Sequence, residues 1–93
     1  MKVKINGQTW RLDRPEPPYW ANTPNGECDA PEVPNKRMWV RASLEGEQEL
    51  DILLHEMLHA SAYHVLAEEF VTQTATDIAH ALWKLGYRKK KTK

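Results

Sequence analysis

Hydrophobic and polar residues alternate in two short stretches near the amino terminus, at residues 2–5 and 9–12. Such alternation over four or more residues is typical of a β-strand with one buried face. The dipeptide Asn6-Gly7 lies between the two stretches and favours a tight hairpin turn. Residues 1–12 are therefore predicted to form a short β-hairpin.

Residues 13–36 contain all six prolines of the chain. Proline fixes one backbone dihedral and has no N–H to donate, so this composition excludes long regular elements and predicts an ordered or partly ordered loop. Alternation returns at residues 37–44, where Met38 and Val40 alternate with charged or aromatic neighbours. This second pattern predicts a further β-strand.

The apolar period changes to that of an α-helix over residues 47–63 and again over residues 67–85. Gly86 follows the second stretch at the position where a helix favours glycine, and a basic tail follows at 86–93. The predicted fold is a single α+β domain. In it, the hairpin and an antiparallel edge strand pack on two helices.

Composition excludes several classes of protein. Hydrophobic residues make up 41% of the 93 residues and charged residues 28%, as is usual for one small globular domain. The net charge is zero, so a nucleic-acid partner is not expected, and the basic tail is interpreted as a solvated segment. The sequence has no apolar stretch of signal-peptide or membrane-spanning length. Its one cysteine, Cys28, allows no internal disulfide, and we expect a cytoplasmic protein.

The run His55-Glu56-Met57-Leu58-His59 carries the clearest chemical signal in the chain. On a helix, residues four apart project from the same face, so the imidazoles of His55 and His59 can bind one Zn²⁺ ion. Glu56, next to the first ligand, can take a proton from a water molecule at the metal. We therefore predict a zinc site in which Glu56 is the catalytic base.

A catalytic zinc ion needs a third protein ligand, and the candidates are Glu68, Glu69, His64, His80 and Asp77. On a helical wheel of the second helix, Glu68 lies at the edge of the apolar face, whereas Glu69 and His80 lie on the opposite side. His64 would need a tight turn to fold back, and Asp77 could instead orient an imidazole. Helical phase thus favours Glu68.

The chain resembles the small zincin-type metallopeptidases of bacteriophages and prophages, a minimal gluzincin group. The resemblance is carried by LDILLHEMLHA, by the following AEEFVTQTATDIAHALWKLGY, and by GECDAP ahead of the strand KRMWVRASL. More distantly, the chain is similar to the thermolysin core and to the repressor-cleaving ImmA/IrrE-type peptidases. The resemblance covers roughly residues 26–88.

This resemblance implies that His55, His59 and Glu68 bind zinc and that Glu56 acts as general base. It also implies that the strand at 36–44 is a sheet edge to which an extended peptide substrate adds. The expected activity is hydrolysis of peptide bonds in a specific intracellular protein partner, in the host cytoplasm if the chain is encoded by a phage.

Four further residues near the motif allow two interpretations each. Tyr63 and Tyr87 could each donate a hydroxyl to a developing oxyanion, or could simply be packing residues. Cys28 or Asp29 could occupy the open zinc position and keep the enzyme latent. Alternatively, Cys28 packs as a small hydrophobic residue and Asp29 caps a turn.

The main alternative to an enzyme is a binding module, stabilised by zinc and without catalytic activity, that sequesters a host or phage protein. Structural zinc sites are usually rich in cysteine, and the glutamate of the motif would have no role in one, so the enzyme is favoured. A nucleic-acid-associated function of the basic tail is a weaker third hypothesis. No sequence feature indicates an oligomeric state.

Overall fold

The computed structural model describes residues 1–16 and 24–90 of the chain. Its elements, in chain order, are β1 (Lys2–Ile5), β2 (Gln8–Asp13), β3 (Gly26–Cys28), β4 (Arg37–Val40), α1 (Gly46–Ser61) and α2 (Glu68–Lys84). Four strands in one sheet with two helices after them confirm the α+β class. The two helices agree with their predicted limits to within two residues at each end, whereas the strand predicted at 37–44 ends four residues earlier.

The amino-terminal hairpin forms as predicted. Asn6 and Gly7 have φ values of 50° and 77°, and two positive values in succession are what a two-residue type I′ turn requires. The turn places Val3 opposite Trp10 in an antiparallel pair. Trp10 is completely buried, and its indole N–H donates to the carbonyl of Asp29, 3.2 Å away. The hairpin is thereby joined to the segment that follows β3.

The sheet has the strand order β1-β2-β4-β3, which corrects the prediction for residues 37–44. β4 is not an antiparallel edge strand, because it pairs with β2 in parallel and with β3 antiparallel. Its burial explains this position: Met38 and Val40 are buried on one face, and Trp39, on the other face, is only 9% exposed. Burial on both faces is characteristic of an interior strand.

The edge strand next to β4 is instead β3, which lies inside the stretch predicted to be a loop, and β1 forms the other edge of the sheet. Three residues are too few to show a hydrophobic period, which is why the sequence pattern did not reveal this strand. Tyr19 and Trp20, in the same proline-rich stretch, lie outside the described residues.

The elements form three layers, with α1 between the sheet and α2. α1 contacts β1, β3 and β4 on one side and α2 on the other, whereas α2 contacts α1 alone among the described elements. The buried face of α2 consists of Val71, Ala75 and Ala79, and the two alanines let the helix axes approach closely. Ile78, although apolar, is 38% exposed. Neither helix has the length and apolar composition that crossing a membrane would require.

The carboxyl-terminal end of α2 is closed by Gly86, as predicted. Its φ of 95° lies in the left-handed region, which a residue with a side chain rarely adopts. The N–H of Gly86 donates to the carbonyl of Trp83, and that of Tyr87 donates to the carbonyl of Leu82. Together these two hydrogen bonds form a Schellman motif.

The described part of the basic tail, residues 86–90, is exposed to solvent, and two of its side chains also contact the helices. The guanidinium of Arg88 lies 3.3 Å from the centre of the Trp83 ring. The ammonium of Lys89 donates to the carboxylate of Glu49 at 3.0 Å, and Arg14 forms an ion pair with the same carboxylate at 2.6 Å. The tail therefore turns back onto the first turns of α1.

Candidate metal centre

The three ligands predicted from the sequence lie together at one end of the helix pair. His55 and His59 project from the same face of α1, with their Nε2 atoms 3.2 Å apart. Glu68 is the first residue of α2, and its two carboxylate oxygens lie 3.0 Å from these nitrogens, one oxygen at each. One ligand atom from each residue can be chosen so that all lie within 4.8 Å of one another.

These distances fit a zinc ion. Ligand bonds of about 2.0–2.1 Å in a tetrahedral arrangement place neighbouring ligand atoms about 3.3–3.4 Å apart. The observed separations of 3.0–3.2 Å are slightly shorter, so a small outward movement of the side chains would admit the ion. Two imidazoles and one carboxylate are also a donor set found in catalytic rather than structural zinc sites.

A short connection between the helices explains how Glu68 reaches the histidines. Residues 62–67 form a tight turn, in which the N–H groups of Val65 and Leu66 both donate to the carbonyl of Ala62. Ala67 is extended, with ψ of 148°, so the chain reverses before α2 begins. The nine-residue separation between His59 and Glu68 is therefore sufficient.

The other four candidates for the third ligand lie outside this cluster. His64 contacts a carboxylate in the β3–β4 loop at 2.9 Å, and His80 contacts one in the first turn of α1 at 3.2 Å. Asp77 accepts a hydrogen bond from a glutamine one turn earlier on α2. Glu69 is exposed to solvent, as its helical phase predicted.

Glu56 lies beneath the cluster and is only 6% exposed. Burial, followed by the negative charges of Glu68 and Glu27, raises its pKa from 4.5 to about 7. Among the described residues, its carboxylate has no hydrogen-bond partner. A buried carboxylate without a partner is costly to ionise, so Glu56 is held close to the balance between its two protonation states at neutral pH.

Gly26 is what allows β3 to approach Glu56 so closely. A Cβ atom at Gly26 would lie 2.8 Å from the carbonyl oxygen of Trp39 and 3.0 Å from both Oε2 of Glu56 and Cγ2 of Ile52. A separation under 3.0 Å from a backbone atom could be relieved only by moving the strand. Glycine is thus required here for close packing of β3 against α1.

A cleft of about 770 Å³ opens between β3 and the two helices. The three candidate ligands and Glu56 line one side of the cleft, and β3 lines the other. The remaining lining residues are Pro24, Gly26, Glu27, Cys28, Asp29, Tyr63 and Leu66.

Comparison of the chain with models of protein families, with curated proteins and with solved structures found no match. The site itself is therefore the basis for inferring function.

The two tyrosines considered for an oxyanion role are placed differently. The ring of Tyr63 lies 6.2 Å from that of His59, centre to centre, and lines the cleft. Tyr87 follows the far end of α2, whose 17 residues extend about 25 Å from Glu68. Only Tyr63 is brought to the site.

Cys28 and Asp29 lie in the cleft wall, where both have contacts within the protein. Burial, followed by the negative charges of Glu56 and Asp29, raises the pKa of the Cys28 thiol to about 12. Its S–H donates to the carbonyl of Asp29 at 3.3 Å, and the Asp29 carboxylate accepts the backbone N–H of Arg37 at 3.0 Å. These contacts favour the structural interpretation of both residues over the latency hypothesis.

Sequence reasoning assigned no role to Gly26 or Glu27, because the strand that carries them was not predicted. Glu27 accepts a hydrogen bond from the indole N–H of Trp39 at 3.1 Å. The register of β3 on β4 pairs these two residues directly, so the contact follows from topology rather than from any local pattern.

Proposed function

We propose that this chain is a zinc-dependent metallopeptidase that hydrolyses a peptide bond in a specific protein partner. His55, His59 and Glu68 would hold the metal, and Glu56 would be the general base. When bound, zinc acidifies a water molecule and polarises a carbonyl oxygen. The observation that carries the proposal is the nearly buried side chain of Glu56, which lines the cleft beside the ligand cluster and has no hydrogen-bond partner among the described residues.

The position of Glu56 supports an enzyme over a sequestering module. Its carboxylate faces the cleft with a raised pKa, so it can accept a proton from a water molecule and later release it to the leaving amine. A zinc ion that only stabilised the fold would gain nothing from this group. A buried carboxylate without a partner would instead reduce the stability of such a module.

The outer edge of β3, which pairs with no other described strand, supports a peptide substrate. The N–H of Asp29 donates to the carbonyl of Arg37, so these residues form a hydrogen-bonded pair with β4. Because such pairs recur every second residue, the backbone groups of Gly26 and Cys28 point away from β4 and toward the cleft. An extended peptide would add to this edge as a further strand. β3 therefore takes the role expected of residues 36–44.

The remaining features concern the transition state and the setting. Tyr63 lies on the cleft wall near the ligand cluster, and its hydroxyl is the proposed donor to a developing oxyanion. A cleft in so small a domain offers few subsites, so recognition of a particular partner surface would provide specificity. The free thiol of Cys28 accords with a cytoplasmic location.

Metal analysis tests the ligand assignment. After dialysis against trace zinc, wild-type protein should retain one zinc ion per chain by mass spectrometry of the metal, whereas Glu68→Ala should retain much less. Glu69→Ala is the matched control, because it removes the neighbouring carboxylate at an exposed position. Equal zinc content in all three proteins would contradict the ligand assignment.

Hydrolysis tests the catalytic role separately. Zinc-loaded wild-type protein should cleave members of a mixed peptide library, and Glu56→Gln should retain zinc but lose the activity. Cleavage that persists in Glu56→Gln would refute the role of this residue as base. Zinc binding without any cleavage by the wild type would favour the alternative, a binding module stabilised by zinc.

A further inference from the structure

Two carboxylates on the free strand are each held in place by one hydrogen bond. Glu27 accepts from the indole of Trp39, and Asp29 accepts from the backbone N–H of Arg37. Each bond uses one carboxylate oxygen and leaves the other available. Both residues are exposed, both line the cleft, and residues two apart in a strand project from the same face. The Cβ position of Gly26 faces α1, so Glu27 and Asp29 lie on the opposite face of the chain, where they present two oriented acceptors.

The cleft has an excess of negative charge. Its lining contains four carboxylates, those of Glu27, Asp29, Glu56 and Glu68, and within the described part of the chain no lysine or arginine lines it. A bound divalent metal would lie beside Glu56 and Glu68 and leave the charges of Glu27 and Asp29 without a described cation in the lining.

Glu56 provides an independent sign that the cleft is built to receive a ligand. Its side chain is 6% exposed, lines the cleft and has no hydrogen-bond partner among the described residues. The oxygen atoms of Glu56 are not fully enclosed, so they reach the cleft, where water or a ligand can supply the hydrogen bonds that a carboxylate needs. A ligand in the cleft would supply the missing contacts.

We infer that this cleft selects a peptide segment carrying lysine or arginine at two positions separated by one residue. The inference rests on the proposed function, since it takes the peptide to pair with the free edge of β3. A peptide strand in that position places its side chains about 4.5–5.5 Å from those directly opposite. Alternate residues of the peptide would then face Glu27 and Asp29, where opposite charges attract.

Peptide binding to zinc-loaded Glu56→Gln measures this preference without turnover. The probe is the fluorescein-labelled heptapeptide Thr-Val-Lys-Val-Lys-Val-Thr, compared with the same peptide acetylated on both lysines. A third peptide has the two lysines adjacent, so that only one can face the carboxylates. By fluorescence anisotropy, the first peptide should bind roughly two- to thirtyfold more tightly than the acetylated one, as expected of two cross-strand pairs. The third should fall between them.

Replacing both carboxylates by amides tests whether Glu27 and Asp29 cause the preference. Glu27→Gln combined with Asp29→Asn keeps an oxygen that can accept each existing hydrogen bond, so the strand should remain in place. The difference between the peptides should fall below twofold, whereas Glu69→Gln, away from the cleft, should retain it. Equal binding of the charged and acetylated peptides, no binding of either, or a preference that survives the double substitution would overturn the inference.

Cleavage by zinc-loaded wild-type protein separates this inference from the proposed function. If the charged peptide binds preferentially but no peptide is cleaved, the peptidase proposal fails and the charge preference stands. If peptides are cleaved without regard to lysine, the peptidase proposal stands and the charge preference fails.

Discussion

Replacing Glu56 by glutamine should stabilise the metal-free protein, and by an amount that depends on pH. The pKa of Glu56 is raised from 4.5 to about 7. This shift corresponds to a difference of about 3 kcal/mol between its two protonation states. Because the folded protein holds this proton more tightly than the unfolded chain does, stability falls as pH rises through this window. The loss is complete above about pH 7 and absent well below pH 4.5.

Glutamine has nearly the same shape as glutamate and no charge, so the stability of the variant should not fall as pH rises through this window. The free energy of unfolding of Glu56→Gln should therefore exceed that of the wild type by about 2–3 kcal/mol at pH 8, and by less than about 0.5 kcal/mol at pH 4.5. Urea unfolding in EDTA at pH 4.5, 6 and 8, followed by tryptophan fluorescence, measures the difference directly.

Charge removal elsewhere provides the control for this experiment. Glu69→Gln alters an exposed carboxylate on α2 and should change stability by less than about 0.5 kcal/mol at all three pH values. A difference in the free energy of unfolding between wild type and Glu56→Gln that stays constant with pH would contradict the raised pKa of Glu56. A wild type more stable than the variant at pH 8 would refute it equally.

Three further substitutions, one beside the site and two beyond the carboxyl-terminal end of α2, are tested by urea unfolding. Gly26→Ala should lower the free energy of unfolding by about 1–3 kcal/mol, because the new Cβ would lie 2.8 Å from the carbonyl oxygen of Trp39. An unchanged stability would contradict the close packing of β3 against α1. Gly86→Ala should cost about 1–2 kcal/mol through backbone strain alone, since no atom lies within 4 Å of its Cβ position. Lys89→Ala removes a hydrogen bond to Glu49 and should lower the free energy of unfolding by about 0.5–1 kcal/mol. Lys90→Ala is the control and should have no effect. Equal effects of the two substitutions would contradict the contact between the tail and α1.

The features that could be predicted from the sequence depend on residues close together in the chain. The Asn6-Gly7 turn is specified by two residues, and the helical limits by apolar period and by Gly86. The phase of α2 was enough to select Glu68 over Glu69, because a helix rotates by a fixed angle per residue.

The features that could not be predicted depend on contacts between distant segments. The parallel pairing of β2 with β4 requires the chain to cross over between them, and the alternation in β4 is the same for an edge or an interior strand. The contact between Lys89 and Glu49 joins residues 40 positions apart. The placement of β3 beside Glu56 follows from that sheet order rather than from its own three residues.

The three-layer arrangement has a consequence for how the metal centre is assembled. Both histidines belong to the helix that packs on the sheet, whereas Glu68 belongs to the outer helix, whose contact is made by small side chains. The five-residue motif is therefore not sufficient on its own. A peptide of α1, or α1 grafted onto another protein, would carry two candidate ligands and lack the third. Coordination by all three candidate ligands would require native docking of α2, so metal affinity would report on tertiary rather than secondary structure. A partner that displaced α2 would separate Glu68 from the histidines without contacting the motif.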